Sequence, residues 1–184
     1  MIQFSPLVTY PSAGHHNGDL GATANGYREG ELTQELRNLV VKELSRLNLK
    51  YITDKDDETN RQYQGRIKPA DGSVIFDIHF NAGPPTATGT EAIVANAANE
   101  RSKQFAKELA DGTAKILGIR NRGVKDETGT HHSRIGILRL PAGTAVLAEV
   151  CFITNKQDLA AYQVNKERLA AFYAKTLKKY DDMI

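Results

Sequence analysis

At 184 residues, 40% hydrophobic and 25% charged, the chain is long enough for one domain with a substantial core and carries no low-complexity tract. Its formal net charge of +2 is too small to imply a nucleic-acid partner, and no run of about eighteen apolar residues is present to span a membrane. The one cysteine, Cys151, excludes an internal disulfide, and its apolar flanks predict a buried, inert thiol.

Met1–Pro6 lacks the basic and apolar regions of a signal peptide, which predicts a chain made in the cytoplasm. Leu7–Tyr10 reads as a short first strand stopped by Pro11 and Gly14. The loop that follows is crowded with Gly, Asn and Asp and holds His15, His16 and Asp19. Loops after strands carry sites more often than they bury histidines for packing. From Glu31 to Leu47 the pattern turns helical, with Leu32, Leu36, Leu39, Val40, Leu44 and Leu47 on one face. Glu29, Glu31 and Glu35 gather at its start, where the helix dipole favours acids. Leu49–Thr53 predicts an edge strand, and the polar stretch 54–70 a loop with a short helix.

Ser73–Phe76 is apolar and β-branched, as in a strand covered on both faces. Asp77, His79 and Asn81 then follow at alternate positions and share one face, before Gly83-Pro84-Pro85 ends the run. A histidine at the C-terminal lip of a buried strand stands where open α/β sheets place their ligands. Taken alone, it is more simply a hydrogen-bonded core residue.

Gly89–Ala95 predicts a further strand and Ala97–Leu117 a helix stopped by Gly118. Asn121–Ser133, with the pair His131-His132, reads as a surface loop; Ile135–Leu140 reads as a short strand and Ala145–Phe152 as a buried one. Thr154 with Gln157 has the spacing of a capping box opening a short helix. A last helix over Lys166–Tyr180 packs through Leu169, Phe172, Tyr173 and Leu177. The alternation of strand and helix predicts one α/β domain over residues 1–184, a three-layer sandwich whose mixed, mostly parallel sheet is flanked by helices.

One carboxylate is out of place. Glu149 lies inside the apolar strand Ala145–Phe152, where a charge costs several kcal/mol unless it is paired or binds a metal. An ion pair would serve as well as a metal. Beside it stand His15 and His79, each after a strand, and Glu29 at a helix start. Two imidazoles and a carboxylate make a catalytic zinc set with one position open, and a further carboxylate suits a general base.

Four ordered blocks resemble the zinc-dependent N-acetylmuramoyl-L-alanine amidases of the type 3 class, which include bacterial cell-wall hydrolases and phage endolysins. They are Ala13-Gly14-His15 with Asp19, Gly21 and Ala22; Glu29 ahead of Leu32-Thr33; His79-Phe80-Asn81-Ala82 with Gly89-Thr90-Glu91; and Leu147–Asn155 around Glu149. Asn121–Lys125 and Ile137-Leu138-Arg139 also fit. The resemblance departs at His16-Asn17, where the family has glycines, so His16 rivals His15 as a ligand and Glu31 rivals Glu29. Cys151 stands where the family has a smaller residue and is expected to narrow the site slightly.

The resemblance implies one Zn²⁺ held by His15, Glu29 and His79, with Glu149 as the general base in hydrolysis of the amide between the lactyl group of N-acetylmuramic acid and L-alanine in peptidoglycan. Asn81 and Glu91 are expected to orient ligands, and His131, His132 and Arg139 to lie near the cleft, although an exposed loop explains the histidine pair as well. The expected partner is peptidoglycan alone, with no membrane or nucleic acid, and the expected state is a monomer. No separate wall-binding domain is foreseen. Without a signal, release like that of a phage endolysin is expected, or else a chain trimmed of its signal. The competing readings are a zinc peptidase acting on stem peptides and a non-catalytic wall-binding module.

Overall fold

The computed structural model describes residues 8–16, 18–130 and 134–183. Five strands form the main sheet: β1 (Thr9–Ala13), β4 (Val74–Asn81), β5 (Thr90–Val94), β6 (Asn121–Asp126) and β7 (Thr144–Phe152). Their order is β1-β4-β7-β5-β6. A two-residue hairpin pairs β2 (Thr23–Ala24) with β3 (Tyr27–Arg28) outside it. The helices are α1 (Glu29–Arg46), α2 (Asn60–Arg66), α3 (Glu100–Leu117) and α4 (Lys156–Asp181). β1, β4 and β7 run parallel, β5 runs antiparallel to β7, and β6 runs parallel to β5. The α/β sandwich with a mixed, mostly parallel sheet is thus present.

Alternation along the strands divides the core in two. Val74, Phe76, Ile78 and Phe80 of β4, with Val146, Ala148 and Val150 of β7, face α1, α3 and α4 in the larger cluster. Phe76 meets Phe105 and Tyr173 edge-on there. Ile75, Ala145 and Leu147 face the other way, against Tyr63 of α2, Ile67, and Ile137 and Leu138. This second face has the thinner cover. Asp77, His79 and Asn81 share its phase on β4, and so does Glu149 on β7.

Several elements differ from expectation for identifiable reasons. β1 runs through Pro11 rather than stopping before it. Thr9 sends both of its backbone groups to the outer side, donating to the Lys50 carbonyl at 3.1 Å and accepting from Ile52 at 3.0 Å. Pro11, two residues on, faces the same open edge, so its missing N–H takes no bond from the β4 ladder. The predicted strand at Leu49–Thr53 is only a single parallel bridge between Thr9 and Tyr51. Part of the predicted loop after Asn121 is β6, whose polar sequence suits a half-exposed edge strand. Ile137 and Leu138 are adjacent yet pack into the same cluster on one side of the sheet, which the alternation of a regular strand opposes; residues Gly136–Arg139 form a 3-10 turn instead. Asn155, not Thr154, caps α4, accepting from the amides of Gln157 at 2.9 Å and Asp158 at 3.1 Å. The short helix and the last helix are one continuous element.

A buried ion pair steadies the turn after β1. Arg37 of α1 and Asp54 are both buried, with 2.7 Å between Nη1 and Oδ2, and Asp54 Oδ1 accepts the Ala13 amide at 3.1 Å. Arg37 also meets Asp56. Asp54→Ala is expected to cost roughly 2–3 kcal/mol, below the 3–5 of a fully orphaned buried charge because Asp56 still faces the guanidinium. A lower urea midpoint at unchanged slope would register this.

Candidate metal centre

Because β1, β4 and β7 are parallel, their C-terminal ends open onto the same edge of the sheet, and the segments leaving them can converge. Gly14-His15 follows β1 directly. His15 holds a left-handed backbone, φ 71°, uncommon for a residue other than glycine. Glu29 is the first residue of α1 and is buried. The helix start is fastened to the preceding loop, Glu29 N–H to the Ala22 carbonyl at 2.8 Å and Gly30 N–H to Leu20 at 3.0 Å. These bonds satisfy amides that the helix itself leaves unpaired.

Each oxygen of Glu29 lies between an imidazole and a backbone amide. Oε1 is 3.1 Å from His79 Nδ1 and accepts from Phe80 N–H at 3.1 Å. Oε2 is 3.1 Å from His15 Nε2 and accepts from Ala22 N–H at 3.0 Å. His15, Glu29 and His79 each offer one ligand atom, all within 4.8 Å of one another, and the two rings meet edge-on at 5.1 Å. The outward nitrogens are held as well, His15 Nδ1 by Asp19 at 2.9 Å and His79 Nε2 by Asp77 at 3.3 Å. A carboxylate behind a ligating imidazole fixes the ring and raises its basicity. Asp77 is steadied in turn by the Ser12 hydroxyl at 2.6 Å.

The electrostatics follow. Burial opposes charge on Glu29, but the two histidines outweigh it and hold the carboxyl far below its ordinary range. Burial likewise opposes charge on His79, yet Asp77 and Glu29 push its proton affinity well above the usual value. His15 is raised too, since Glu29 outweighs burial. In the absence of a cation the pocket draws protons. A Cβ on Gly14 would stand 2.2 Å from His79 Nε2, so the loop approaches the ring only because residue 14 has no side chain.

Glu149 pairs in register with His79 on one side and Glu91 on the other. The ladder shifts between His79 and Asn81, where β7 carries an extra residue. Glu149 is half-buried, while its Oε2 is sealed from solvent and has no hydrogen-bond partner. Burial, reinforced by Glu29 and Glu91 and opposed by His79, raises this carboxyl to about 7. A sealed, unpartnered carboxylate oxygen beside two imidazoles and a carboxylate fits a site built around a cation and a reacting proton. The donor set, two nitrogens and an oxygen, suits zinc with a position left for substrate.

The other predicted residues fall into two groups. Asn81 donates to Glu91 at 2.9 Å, and Glu91 also meets Arg122 and Lys125. These lie beside Glu149. His16 accepts from Gly18 within its own loop, and exposed Glu31 pairs with Arg28; neither joins the cluster. Arg139 pairs with buried Glu127, which also accepts from the Asn96 and Ile135 amides, so it ties loops together. His131 and His132 lie outside the described residues. Cys151 is fully buried in the larger core cluster, across the sheet from Glu149, and does not narrow the site. Asp19 and Asp77 had no assigned role toward the imidazoles, yet they stand at i+4 from His15 and i−2 from His79, spacings that the sequence displays.

Residues 12–179 match the family model described as N-acetylmuramoyl-L-alanine amidase. The amidase LytC of Bacillus subtilis is 28% identical over 152 residues, covering 79% of this chain and 29% of its own length. The endolysin of Bacillus phage SPP1 is 29% identical over 158 residues, covering 83% of this chain and 57% of its own length. The chain thus spans well under two thirds of these curated relatives. Its fold is shared with the crystal structure of an N-acetylmuramoyl-L-alanine amidase from Clostridium difficile 630, at a TM-score of 0.80 and 20% identity, over 97% of this chain and 99% of that one. With a match across nearly all of its length, the chain belongs to the N-acetylmuramoyl-L-alanine amidase family.

Proposed function

We propose that the protein hydrolyses the amide between the lactyl group of N-acetylmuramic acid and the L-alanine of the peptide stem in peptidoglycan, with zinc held by His15, Glu29 and His79. The observation that carries this reading is the convergence of those three side chains beside the unpartnered Oε2 of Glu149. Zinc in such a set supplies a Lewis acid that polarises a carbonyl and acidifies water.

The chain's own residues do the rest. Glu149 accepts a proton from the water that attacks the lactyl carbonyl carbon, and passes it to the alanine nitrogen as the C–N bond breaks. Its high proton affinity suits both halves of that transfer, because a base held near neutrality returns its proton readily. Asp19 and Asp77 keep the two imidazoles oriented. Incubation with peptidoglycan, with and without a chelator, tests the reading by mass spectrometry of the new ends. Stem peptides beginning in L-alanine, released only without chelator, are expected; cuts inside the stem would make the protein a peptidase, and no cleavage would leave a binding module.

Four outcomes follow from the geometry. Zinc at about 100 times its Kd stabilises by about 2.7 kcal/mol, which raises Tm by about 5–10 °C in a protein of this size, read by thermal unfolding against a chelated control. Glu149→Gln keeps zinc and fold while kcat falls about 10²- to 10⁴-fold, and in the unaltered protein kcat/KM rises with pH because the base acts deprotonated. Asp19→Ala, at an exposed position, weakens zinc affinity about 10- to 100-fold in a competition titration.

A further inference from the structure

β6 carries two cations where a regular strand would present one. Arg122 and Lys125 are three residues apart, a spacing that puts side chains on opposite faces of a regular strand. The register slips between Thr90 and Ala92 of β5, which pair with Asn121 and Val124, so β6 holds one extra residue. Gly123 adopts φ 82° at the slip, a conformation that suits glycine. The bulge rotates both cations onto the thinly covered face, where Arg122 Nε stands 2.6 Å and Lys125 Nζ 2.7 Å from the same oxygen, Glu91 Oε2.

Glu91 needs only one of them. Its Oε1 is taken by Asn81, and neither cation meets a second carboxylate among the described residues, so the group carries one surplus positive charge. Arg122 spends only Nε on Glu91 and lays its guanidinium against the Phe152 ring, 5.0 Å from the centroid. That stacking fixes the plane and leaves the terminal nitrogens for another acceptor. Both side chains are about one third exposed.

Glu91 is the register partner of Glu149, so the backbone that carries the cations lies two strands from the catalytic carboxylate, roughly 10 Å at the usual spacing, while their charged ends lean in toward Glu91 between them. An extended peptide covers that distance in about three residues. On the substrate of the proposed reaction the lactyl acid of the sugar is consumed in the scissile amide, so free carboxylates belong to the peptide. We infer that Arg122 and Lys125 form a subsite for a peptide carboxylate two to three residues beyond the scissile bond, Arg122 gripping it with its terminal nitrogens. The inference rests on the proposed amidase reading for the identity of the ligand.

The test uses a muramyl tripeptide with free carboxylates and its counterpart with every carboxylate converted to carboxamide. Binding of both to the zinc-loaded Glu149→Gln protein is followed by calorimetry, with Arg122 intact or replaced by Ala or Lys, and turnover of both is followed in the unaltered protein. Intact Arg122 is expected to favour the free acid about tenfold or more, the size of a charge-assisted pair. Arg122→Ala brings that ratio near one, and Arg122→Lys, which keeps the charge without the fork, falls between. Equal affinity for the two ligands, or equal weakening of both by Arg122→Ala, would mean that the cations serve Glu91 alone and would overturn the subsite. Acid preference lost in Arg122→Ala, without turnover in the unaltered protein, upholds the subsite and removes the amidase reading. Turnover without preference does the reverse.

Discussion

A carboxylate with almost no solvent around it must have its charge answered by the protein, and Glu29 is answered from three directions. The loop after β1 supplies His15 and the Ala22 amide, and the end of β4 supplies His79 and the Phe80 amide. The positive end of α1 lies under the carboxylate itself. One side chain therefore sets the relative positions of a loop, a helix and a strand, the helix and strand residues lying 50 positions apart in the chain. A shift in any of them would leave a buried charge short of a partner, so the geometry that suits a metal is also the one that keeps the core electrostatically tolerable.

The sheet determines where this charge can live. Three large helices cover one face, and that face takes the aromatic and branched side chains. Among the described residues the other is covered mainly by α2, the segment after it and a 3-10 turn, and on this face one oxygen of Glu149 is sealed from solvent. Strand parity then does the sorting. Every second residue of β4 is apolar toward the helices, while Asp77, His79 and Asn81 look to the thin side. The extra residue in β7 ends that parity just past Glu149, so Val150 and Cys151 both turn into the main core.

The parts legible in the sequence were those written in short-range periodicity. The apolar face of α1, the Gly118 stop of α3 and the buried strand around Glu149 needed only spacing of three, four or two. Where a neighbour decided the outcome, sequence reading went astray. Pro11 looked like a stop because nothing in the chain says that β1 is the sheet edge, and β6 looked like a loop because an edge strand need not be apolar. The alternation that exposed Asp77, His79 and Asn81 as one face was readable, but not which carboxylate stands behind which imidazole. Which of His15 and His16 meets Glu29 is written in tertiary structure: the first lies 3.1 Å from the carboxylate, and the second accepts a hydrogen bond within its own loop.

Across the four strands β4, β7, β5 and β6 the thin face carries two carboxylates between basic groups: His79, then Glu149 and Glu91, then Arg122 and Lys125. Two carboxylates adjacent in register repel, and this contributes to the raised proton affinity of Glu149. Glu91 nevertheless remains ionised below the ordinary range, because the β6 cations outweigh its burial. The asymmetry between two neighbouring glutamates thus comes from what lies beyond each. Glu91 has fixed cations on its far side and stays a permanent anion, while Glu149 has an imidazole neighbour and an unpartnered oxygen and keeps a proton affinity near neutrality. The bulge at Gly123 holds both cations on that side, so a single left-handed glycine on an edge strand helps to decide which of two carboxylates stays a fixed anion and which keeps a raised proton affinity.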